Sequence, residues 1–310
     1  NNYGELSGRN IEDLIENTRD LKGQSDKKNS VDFALWKKAS TGHIMKWPSP
    51  WGEGFPGWHV ECSTMSCKYL GDRFDIHGGG MDLVFPHHEA EIAQCTAANG
   101  KQSAKYWIHN NMITIGGQKM GKSLENFITL SEFFSGSHKK LNQAYHPMVI
   151  RFFLLQAHYR STVDFSNEAL KASEKGLLKL FNAFDTINKL KASGSSGLDI
   201  SQIRQKCEDA LNDDFNTPIA ISHLFEAVKF INSSFEERQL ITKQNIKDLR
   251  SLFEDFLINI FGLKAVSKSN SANNKDLDSL IQVLLDSRQL AKENNNWDIS
   301  DMIRDKLQAL

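Results

Sequence analysis

The chain has 310 residues, enough for a sizeable hydrophobic core and for about two domains. Its 37 basic and 38 acidic residues leave a formal net charge of −1, so a polyanion would have to bind a local basic face. No apolar run approaches the roughly 20 residues of a membrane span, and the opening residues lack the apolar segment of a secretory signal. Four irregularly spaced cysteines indicate a reducing, cytoplasmic location rather than a disulfide framework.

The first third of the chain begins with polar segments. "IEDLIEN" (11–17) predicts a short helix, and "DLKGQSDKKNS" (20–30) predicts a loop. A stretch rich in Trp, Gly and Pro follows at 36–65, and it predicts irregular structure leading into a helix near Val60.

A strand, a glycine turn, a helix and a second strand follow in order. They are "RFDIHGGG" (73–80), "HHEAEIAQCTAA" (87–98) and "YWIHNNMITI" (106–115), and a glycine-entered loop comes next at 116–126. This order predicts a parallel α/β unit, whose ligands bind at the carboxyl ends of the strands.

Apolar residues recur at helical spacing after about residue 145. Four segments carry this pattern: 150–161, 169–190, 219–235 and 246–261. Pro218 after Asn216 predicts a capped helix start with proline in the first turn. The Ser- and Asn-rich segment 267–276 predicts a linker before a last pair of helices at 277–294 and 297–310.

The stretch "FPHHEAEI" (85–92) places unusual side chains at the start of a helix. His87 and Glu91 are four residues apart and share a helix face, whereas His88 and Glu89 point elsewhere. Cys62 lies at another helix start, and Cys, His and Glu are all zinc ligands; a site with three of them keeps one position open. An isolated His-x-x-x-Glu pair is otherwise typical of a solvated helix face.

Two further motifs suit a nucleotide. In "HGGGMD" (77–82), glycines let a backbone approach a ligand closely and an aspartate can accept ribose hydroxyls, although a tight turn explains the glycines equally well. In "KMGKS" (119–123), two lysines three residues apart suit nucleotide phosphates, and the alternative is a solvated surface loop.

Together these stretches resemble the catalytic region of cysteinyl-tRNA synthetase, a class I aminoacyl-tRNA synthetase. The resemblance rests on "PSPWGEGFPGWHVECSTM", "FDIHGGGMDLVFPHHEAEIAQ" and "KMGKSLEN", and it continues through "HPMVIRFFLLQAHYRS", "LNDDFNTPIA" and "SRQLAKENNNWDISDMIRDKL". It implies an α/β then all-α fold: the C-terminal half of a Rossmann-type catalytic domain, a helical bundle and a small helical anticodon-binding part. The implied boundaries are 1–137 for the catalytic domain, 138–165 for a stem-contact connection, 166–265 for the bundle and 277–310 for the start of the anticodon-binding domain.

The resemblance also implies roles for particular residues. Cys62, His87 and Glu91 stand at the positions of zinc ligands, with His88 and Glu89 expected to orient them or to cap the helix. The implied catalytic residues are Lys119 and Lys122, in the place of the family's KMSKS loop. Lys122 would also contact ATP together with Gly79, Gly80 and Asp82, and the implied substrate-binding residues are Trp58 and His77.

The implied activity is cysteine–tRNA ligation. L-Cysteine would be activated with ATP and magnesium to cysteinyl adenylate and transferred to tRNA(Cys), with one zinc per subunit selecting the substrate thiol. The resemblance further implies a cytoplasmic monomer without membrane contact. Lysines at helical spacing along one bundle helix (Lys171, Lys175, Lys179) suit phosphate contacts or a solvated face equally.

The sequence departs from the family pattern at two places. Gly121 replaces the usual serine of the KMSKS loop, which should loosen the loop while keeping both lysines. The family's HIGH motif and its fourth zinc ligand, a cysteine, are not found in these 310 residues, so the chain is expected to be truncated and inactive alone. Two alternatives therefore stay open: a paralogous ligase that joins cysteine to a sugar amine, and a non-catalytic RNA-binding remnant.

Overall fold

A computed structural model describes residues 3–10, 27–29, 32–194, 199–266, 271–294 and 296–309. The chain divides into two compact units, Asn1–Leu263 and Lys264–Leu310. The helix predicted at 11–17 and most of the loop predicted at 20–30 lie outside the described residues.

The first part of unit one is a parallel β–α–β arrangement, as the sequence predicts. Strand β3 pairs in parallel with β4, with Phe74 opposite Ala104 and Gly80 opposite Asn110, and helix α2 connects the two strands. An antiparallel pair, β1 and β2, and helix α1 precede them. The bounds are β1 Trp36–Lys38, β2 Gly54–Pro56, α1 Trp58–Leu70, β3 Phe74–Gly80, α2 Glu89–Asn99 and β4 Ala104–Asn110.

The strand predicted at 106–115 is interrupted. After β4, Asn111 turns to another partner: its N–H donates to the Tyr159 carbonyl and its side-chain amide donates to the Arg160 carbonyl. The chain then forms a second, three-stranded sheet in the order β6–β5–β7, with β5 antiparallel to β6 and parallel to β7. The bounds are β5 Ile113–Ile115, β6 Gln118–Lys119 and β7 Val163–Phe165.

The helix predicted at 150–161 is shorter than expected. The helix observed here, α4 (Pro147–Leu155), ends at Leu155, and the residues beyond it supply the carbonyls that bond to Asn111 and lead into β7. The longer helix was predicted from apolar spacing alone. Such spacing cannot reveal a strand whose pairing partner lies about 50 residues away in the sequence.

A bundle of helices with an apolar core follows in the described residues between 147 and 260. Its large, fully buried side chains include Leu177, Leu224 and Phe253. Asn216 caps helix α7 by accepting from the Ile219 N–H, with Pro218 in the first turn, as predicted. The helices of this region are α3 Leu130–Ser135, α4 Pro147–Leu155, α5 Asn167–Ile187, α6 Ile200–Asn212, α7 Thr217–Phe235 and α8 Lys243–Phe253, and a π-helical segment, Glu254–Ile260, extends α8.

The second unit is a pair of packed helices, α9 (Ser271–Glu293) and α10 (Trp297–Ala309). The linker prediction is wrong for 271–276, which open α9, while 267–270 lie outside the described residues. Ser and Asn are common in linkers but are equally favoured at helix starts, which explains the error. Within the described ranges, no helix combines the length and the apolar character that a membrane span needs.

Candidate active site

Helix α1, helix α2 and the π-helical turn Val84–His88 that leads into α2 bring three predicted ligands together. Cys62 Sγ, one ring nitrogen of His87 and one carboxylate oxygen of Glu91 lie within 4.8 Å of one another. His87 and Glu91 are buried one turn apart, with His87 Nε2 at 3.1 Å from the Glu91 carboxylate, and Cys62 is half-buried. A thiol, an imidazole and a carboxylate thus converge at the contact between two helices.

A glycine makes room for this cluster at the end of β3. A Cβ on Gly79 would lie 2.8 Å from His88 Cε1 and 2.9 Å from Leu83 Cδ1, closer than side-chain carbons approach other atoms. A Cβ on Gly80 would lie 2.4 Å from Asp82 Oδ1. The glycine run therefore lets His88 and Asp82 pack against the strand end.

Four more histidines surround the three residues. His59 Nδ1 is 2.7 Å from His87 Nδ1, and His77 Nε2 is 3.1 Å from the Glu91 carboxylate. His88 Nδ1 is 2.7 Å from His109 Nε2, so each buried histidine has a ring partner. His77, His88 and Glu91 form a second group whose ligand atoms lie within 4.8 Å of one another, and it shares Glu91 with the first.

Burial favours the neutral form of four of the imidazoles near the cluster. It lowers the pKa of His59, His87 and His109, and it lowers the pKa of His88 to about 3. A neutral imidazole has one nitrogen lone pair free for a metal. The contact between His87 Nδ1 and His59 Nδ1 leaves His87 Nε2 facing Glu91, and so fixes the ring orientation.

The two predicted substrate-binding residues also border the cluster. The Trp58 ring lies 4.1 Å from the His87 ring, centroid to centroid, and Trp58 keeps 56% of its surface exposed. His77 is half-buried against Glu91. An exposed indole beside a buried polar cluster can cover a small ligand that enters there.

Glu89 has a contact that the sequence did not indicate. Its buried carboxylate accepts from the Gly4 N–H at 3.1 Å, from the Ser7 N–H at 2.8 Å and from the Ser7 hydroxyl at 3.1 Å. It thereby ties the segment near the start of the chain to α2 rather than orienting the ligand set.

The "KMGKS" loop is a separate, exposed element. Gly116 and Gly117, both with positive φ, form the hairpin that precedes it, and Asp164 accepts from the Gly117 N–H at 2.8 Å. Lys119 and Lys122 are both exposed, with Lys122 Nζ 5.7 Å from the centre of the Phe127 ring. Within the described part of the chain, no hydrogen bond or ion pair joins these lysine side chains to Gly79, Gly80 or Asp82.

Asn126 holds this loop in shape. It is 2% exposed, its Oδ1 accepts from the Gly121 N–H at 2.8 Å, and its Nδ2 donates to the Lys119 carbonyl at 3.1 Å. Gly121 therefore does not leave the loop unconstrained, because its backbone N–H is bonded to Asn126.

Sequence reasoning missed Asn126 and His59. His59 lies three residues before Cys62, and this helical spacing places both side chains on one face. That spacing could have indicated His59 as a neighbour of the predicted ligand Cys62. No sequence signal marked Asn126, because its partners are backbone groups.

Comparison with known families identifies the class of protein. Residues 1–175 match the family described as tRNA synthetases class I (C) catalytic domain, and residues 206–265 match the DALR domain. The first match covers more than half of the 310 residues, so the chain belongs to this family of class I tRNA synthetases. The predicted fold class, a class I catalytic domain followed by helices, is confirmed.

Three relatives carry the name of one particular enzyme of this class. The chain is 56% identical over 308 residues to the cysteine–tRNA ligase of Bacteroides fragilis, a match covering 99% of this chain and 63% of the relative. The Porphyromonas gingivalis enzyme of the same name is 55% identical over 308 residues, with the same 99% and 63% coverage. That of Chlorobaculum tepidum is 46% identical over 310 residues, covering 98% of this chain and 62% of the relative. The resemblance seen in the sequence is confirmed, and the chain spans just under two thirds of the length of these relatives.

Proposed function

We propose that this chain contributes the thiol-selecting site and the KMSKS-like loop of a cysteine–tRNA ligase. Such an enzyme activates L-cysteine with ATP to cysteinyl adenylate and transfers it to tRNA(Cys). The observation that carries the proposal is the convergence of Cys62, His87 and Glu91 within 4.8 Å. Relatives named cysteine–tRNA ligase, which match 99% of the chain and its DALR domain, support it over a sugar-amine ligase or a non-catalytic remnant.

The donor set fits a zinc ion. Glu91 is 2% exposed, and its ion-pair partners within the described residues are two histidines, of which His87 has its pKa lowered by burial. A neutral His87 imidazole gives the buried Glu91 carboxylate no compensating positive charge, and a divalent cation supplies one. Thiolate, imidazole and carboxylate are all zinc ligands, and three protein ligands leave room for a substrate atom.

Each residue then has a role toward the substrate. Cys62, His87 and Glu91 would hold the metal, His59 would orient the His87 ring, and Trp58 with His77 would line the substrate side. Zinc, when bound, favours a thiolate over a hydroxyl as a ligand. An apolar pocket would discriminate against serine by only about 10²-fold. A site built to bind one particular polar group reaches a discrimination on the order of 10⁴-fold.

The lysines of the "KMGKS" loop would contact the nucleotide. Lys119 and Lys122 project from an exposed loop that Asn126 shapes, and they suit the charge that develops on the ATP phosphates during adenylate formation. Gly79, Gly80 and Asp82, at the carboxyl end of β3, lie where a parallel unit binds its ligands and suit the adenosine. Magnesium would accompany ATP.

The helical parts would bind the tRNA. Lys171, Lys175 and Lys179 are exposed at helical spacing on α5 and are suited to phosphates. We assign the catalytic part to 1–137, the stem-contact connection to 138–165, the bundle to 166–265 and the start of the anticodon-binding part to 277–310. A cytoplasmic monomer is the proposed working state.

Metal content tests the proposal directly. Cys62→Ser, His87→Ala and Glu91→Gln should each lower zinc stoichiometry, measured by elemental mass spectrometry of the purified protein. Cys207→Ser is the matched control, because Cys207 is fully buried in the bundle away from the cluster and should leave zinc unchanged. In ATP–pyrophosphate exchange with the complete enzyme, the three site variants should also lose preference for cysteine over serine. Full zinc and unchanged preference in all three would refute the proposal.

A further inference from the structure

A second pair of cysteines lies where the two site helices meet. Cys67 follows Cys62 by five residues on α1, and Cys95 follows Glu91 by four residues on α2. Because α1 packs against α2, both cysteines lie about one turn beyond the proposed ligands, in the region where the two helices meet. Neither cysteine belongs to the proposed metal set.

Hydrogen bonds on both sides hold the helices together at this point. Ser63 Oγ donates to Gln94 Oε1 at 2.7 Å, and Asn99 Nδ2 donates to Cys67 Sγ at 3.6 Å. Ser63 lies one turn before Cys67 on α1, and Gln94 and Asn99 lie on either side of Cys95 in α2, so these two bonds bracket both cysteines. They hold the part of α1 that carries Cys67 against the part of α2 that carries Cys95, and neither bond depends on a metal.

The two thiols differ in access to solvent. Cys67 is half-buried, whereas Cys95 is 2% exposed and burial raises the pKa of its thiol. A thiolate, not a thiol, attacks an oxidant, and access limits the rate. Cys67 is thus the cysteine that meets an oxidant first, with Cys95 held beside it as the second sulfur.

We propose that Cys67 and Cys95 form an oxidation site, closing to a reversible disulfide when the protein meets a hydroperoxide. The Cys67 thiolate attacks one peroxide oxygen, the O–O bond breaks, and Cys67 becomes a sulfenic acid as hydroxide leaves. The Cys95 sulfur then displaces the sulfenic oxygen as water and forms the S–S bond. With hydrogen peroxide, two thiols give one disulfide and two waters, and the peroxide takes up two electrons.

The disulfide would join the two helices that carry Cys62 and Glu91. A dithiol reductant reverses it by thiol–disulfide exchange. The proposal does not rest on the proposed ligase activity, because its readout is a covalent bond in the chain itself.

Peptide mapping of the full chain tests the proposal. The protein is treated with hydrogen peroxide, its remaining thiols are alkylated, and tryptic peptides are analysed by mass spectrometry without reduction. The expected product joins peptide 47–68, which holds Cys62 and Cys67, to peptide 74–101, which holds Cys95. Fragment ions that separate positions 62 and 67 should assign the bond to Cys67, and dithiothreitol should remove it.

Single substitutions provide the controls. Cys67→Ser should abolish the cross-linked peptide, whereas Cys62→Ser and Cys207→Ser should leave it unchanged. Two results would overturn the proposal: a bond that maps to Cys62, or a Cys95 that stays alkylatable while Cys67 is oxidised to the sulfinic acid. The unsubstituted chain alone distinguishes these results, so a variant that fails to fold does not prevent a decision.

Discussion

In the bundle of α4 to α8 the large buried side chains are aliphatic or aromatic, whereas around α1 and α2 they include two histidines and two glutamates. Helix α1 exposes Trp58, Met65 and Tyr69, at 56%, 52% and 74%. Packing accounts for the residues of the bundle, but burial of the Glu91 carboxylate is unfavourable unless a positive charge compensates it. The difference indicates that the bundle sequence serves stability and the α1–α2 sequence serves chemistry.

The largest expected effect is in the bundle core. Phe253 is fully buried and stacks on Phe184 with ring centres 5.9 Å apart. Phe253→Ala should lower the free energy of unfolding by about 3–5 kcal/mol through lost burial and a cavity, measured by urea denaturation. Phe235→Ala is the control, since Phe235 is 51% exposed, and it should cost far less. Equal losses would contradict the packing account.

Lys122→Ala should lower catalytic activity and leave stability unchanged. In the complete enzyme we expect kcat for adenylate formation to fall about 10²-fold, with a smaller change in the KM for ATP, because the lysine meets charge that develops in the transition state. Stability should not change, since Lys122 is exposed. Lys171→Ala on α5 is the charge-matched control and should leave adenylate formation unchanged. A variant that loses only ATP affinity would show that the role is ground-state binding.

Glu89→Ala tests a buried charge that we assign to structure. The substitution leaves the Gly4 and Ser7 donors without their acceptor, at a cost of about 1–3 kcal/mol. Trypsin should then cleave more rapidly after Arg9, because the segment is released from α2. Glu61→Ala, at an exposed position of α1, should leave the cleavage rate unchanged. An unchanged rate in both variants would show that the Glu89 contacts do not hold the segment.

Cys207 should make the bundle sensitive to alkaline pH. Burial raises the pKa of its thiol from 9.0 to about 12 in the folded chain. Above pH 9 the unfolded chain loses this proton and the folded chain keeps it, so stability falls by up to about 1.4 kcal/mol per pH unit until the folded thiol ionises. Urea titrations from pH 8 to pH 10 should therefore give a steeper loss for the unsubstituted chain than for Cys207→Ala. Parallel curves would rule this contribution out.

The smallest expected effect is in the loop. Gly121 has an extended backbone with φ of −162°, and an added Cβ would meet only Ser123 Oγ, at 4.0 Å. Gly121→Ser should therefore change the free energy of unfolding by less than about 0.5 kcal/mol. Gly136→Ser is the contrasting variant, because φ there is +71° and a Cβ would lie 2.6 Å from the Ala144 nitrogen. If Gly121→Ser is as destabilising as Gly136→Ser, the glycine is required by the backbone.

The sequence by itself determined the parallel β–α–β unit, the helical bundle, the capped start of α7 and the class of synthetase. Local signals predict these features: apolar periodicity, capping residues and motifs of a few positions. The spacing of His87 and Glu91 belongs to the same kind of signal, because one helical turn brings them onto one face.

Only the tertiary structure decided which distant groups meet. In the folded chain His59 contacts His87, and His88 contacts His109. His77 contacts Glu91. The Glu89 carboxylate accepts hydrogen bonds from Gly4 and Ser7. The tertiary structure also paired β7 with β5 across about 50 residues and so shortened α4. Periodicity carries no information about such partners, because they depend on how separately formed elements pack and not on the spacing of residues within one element.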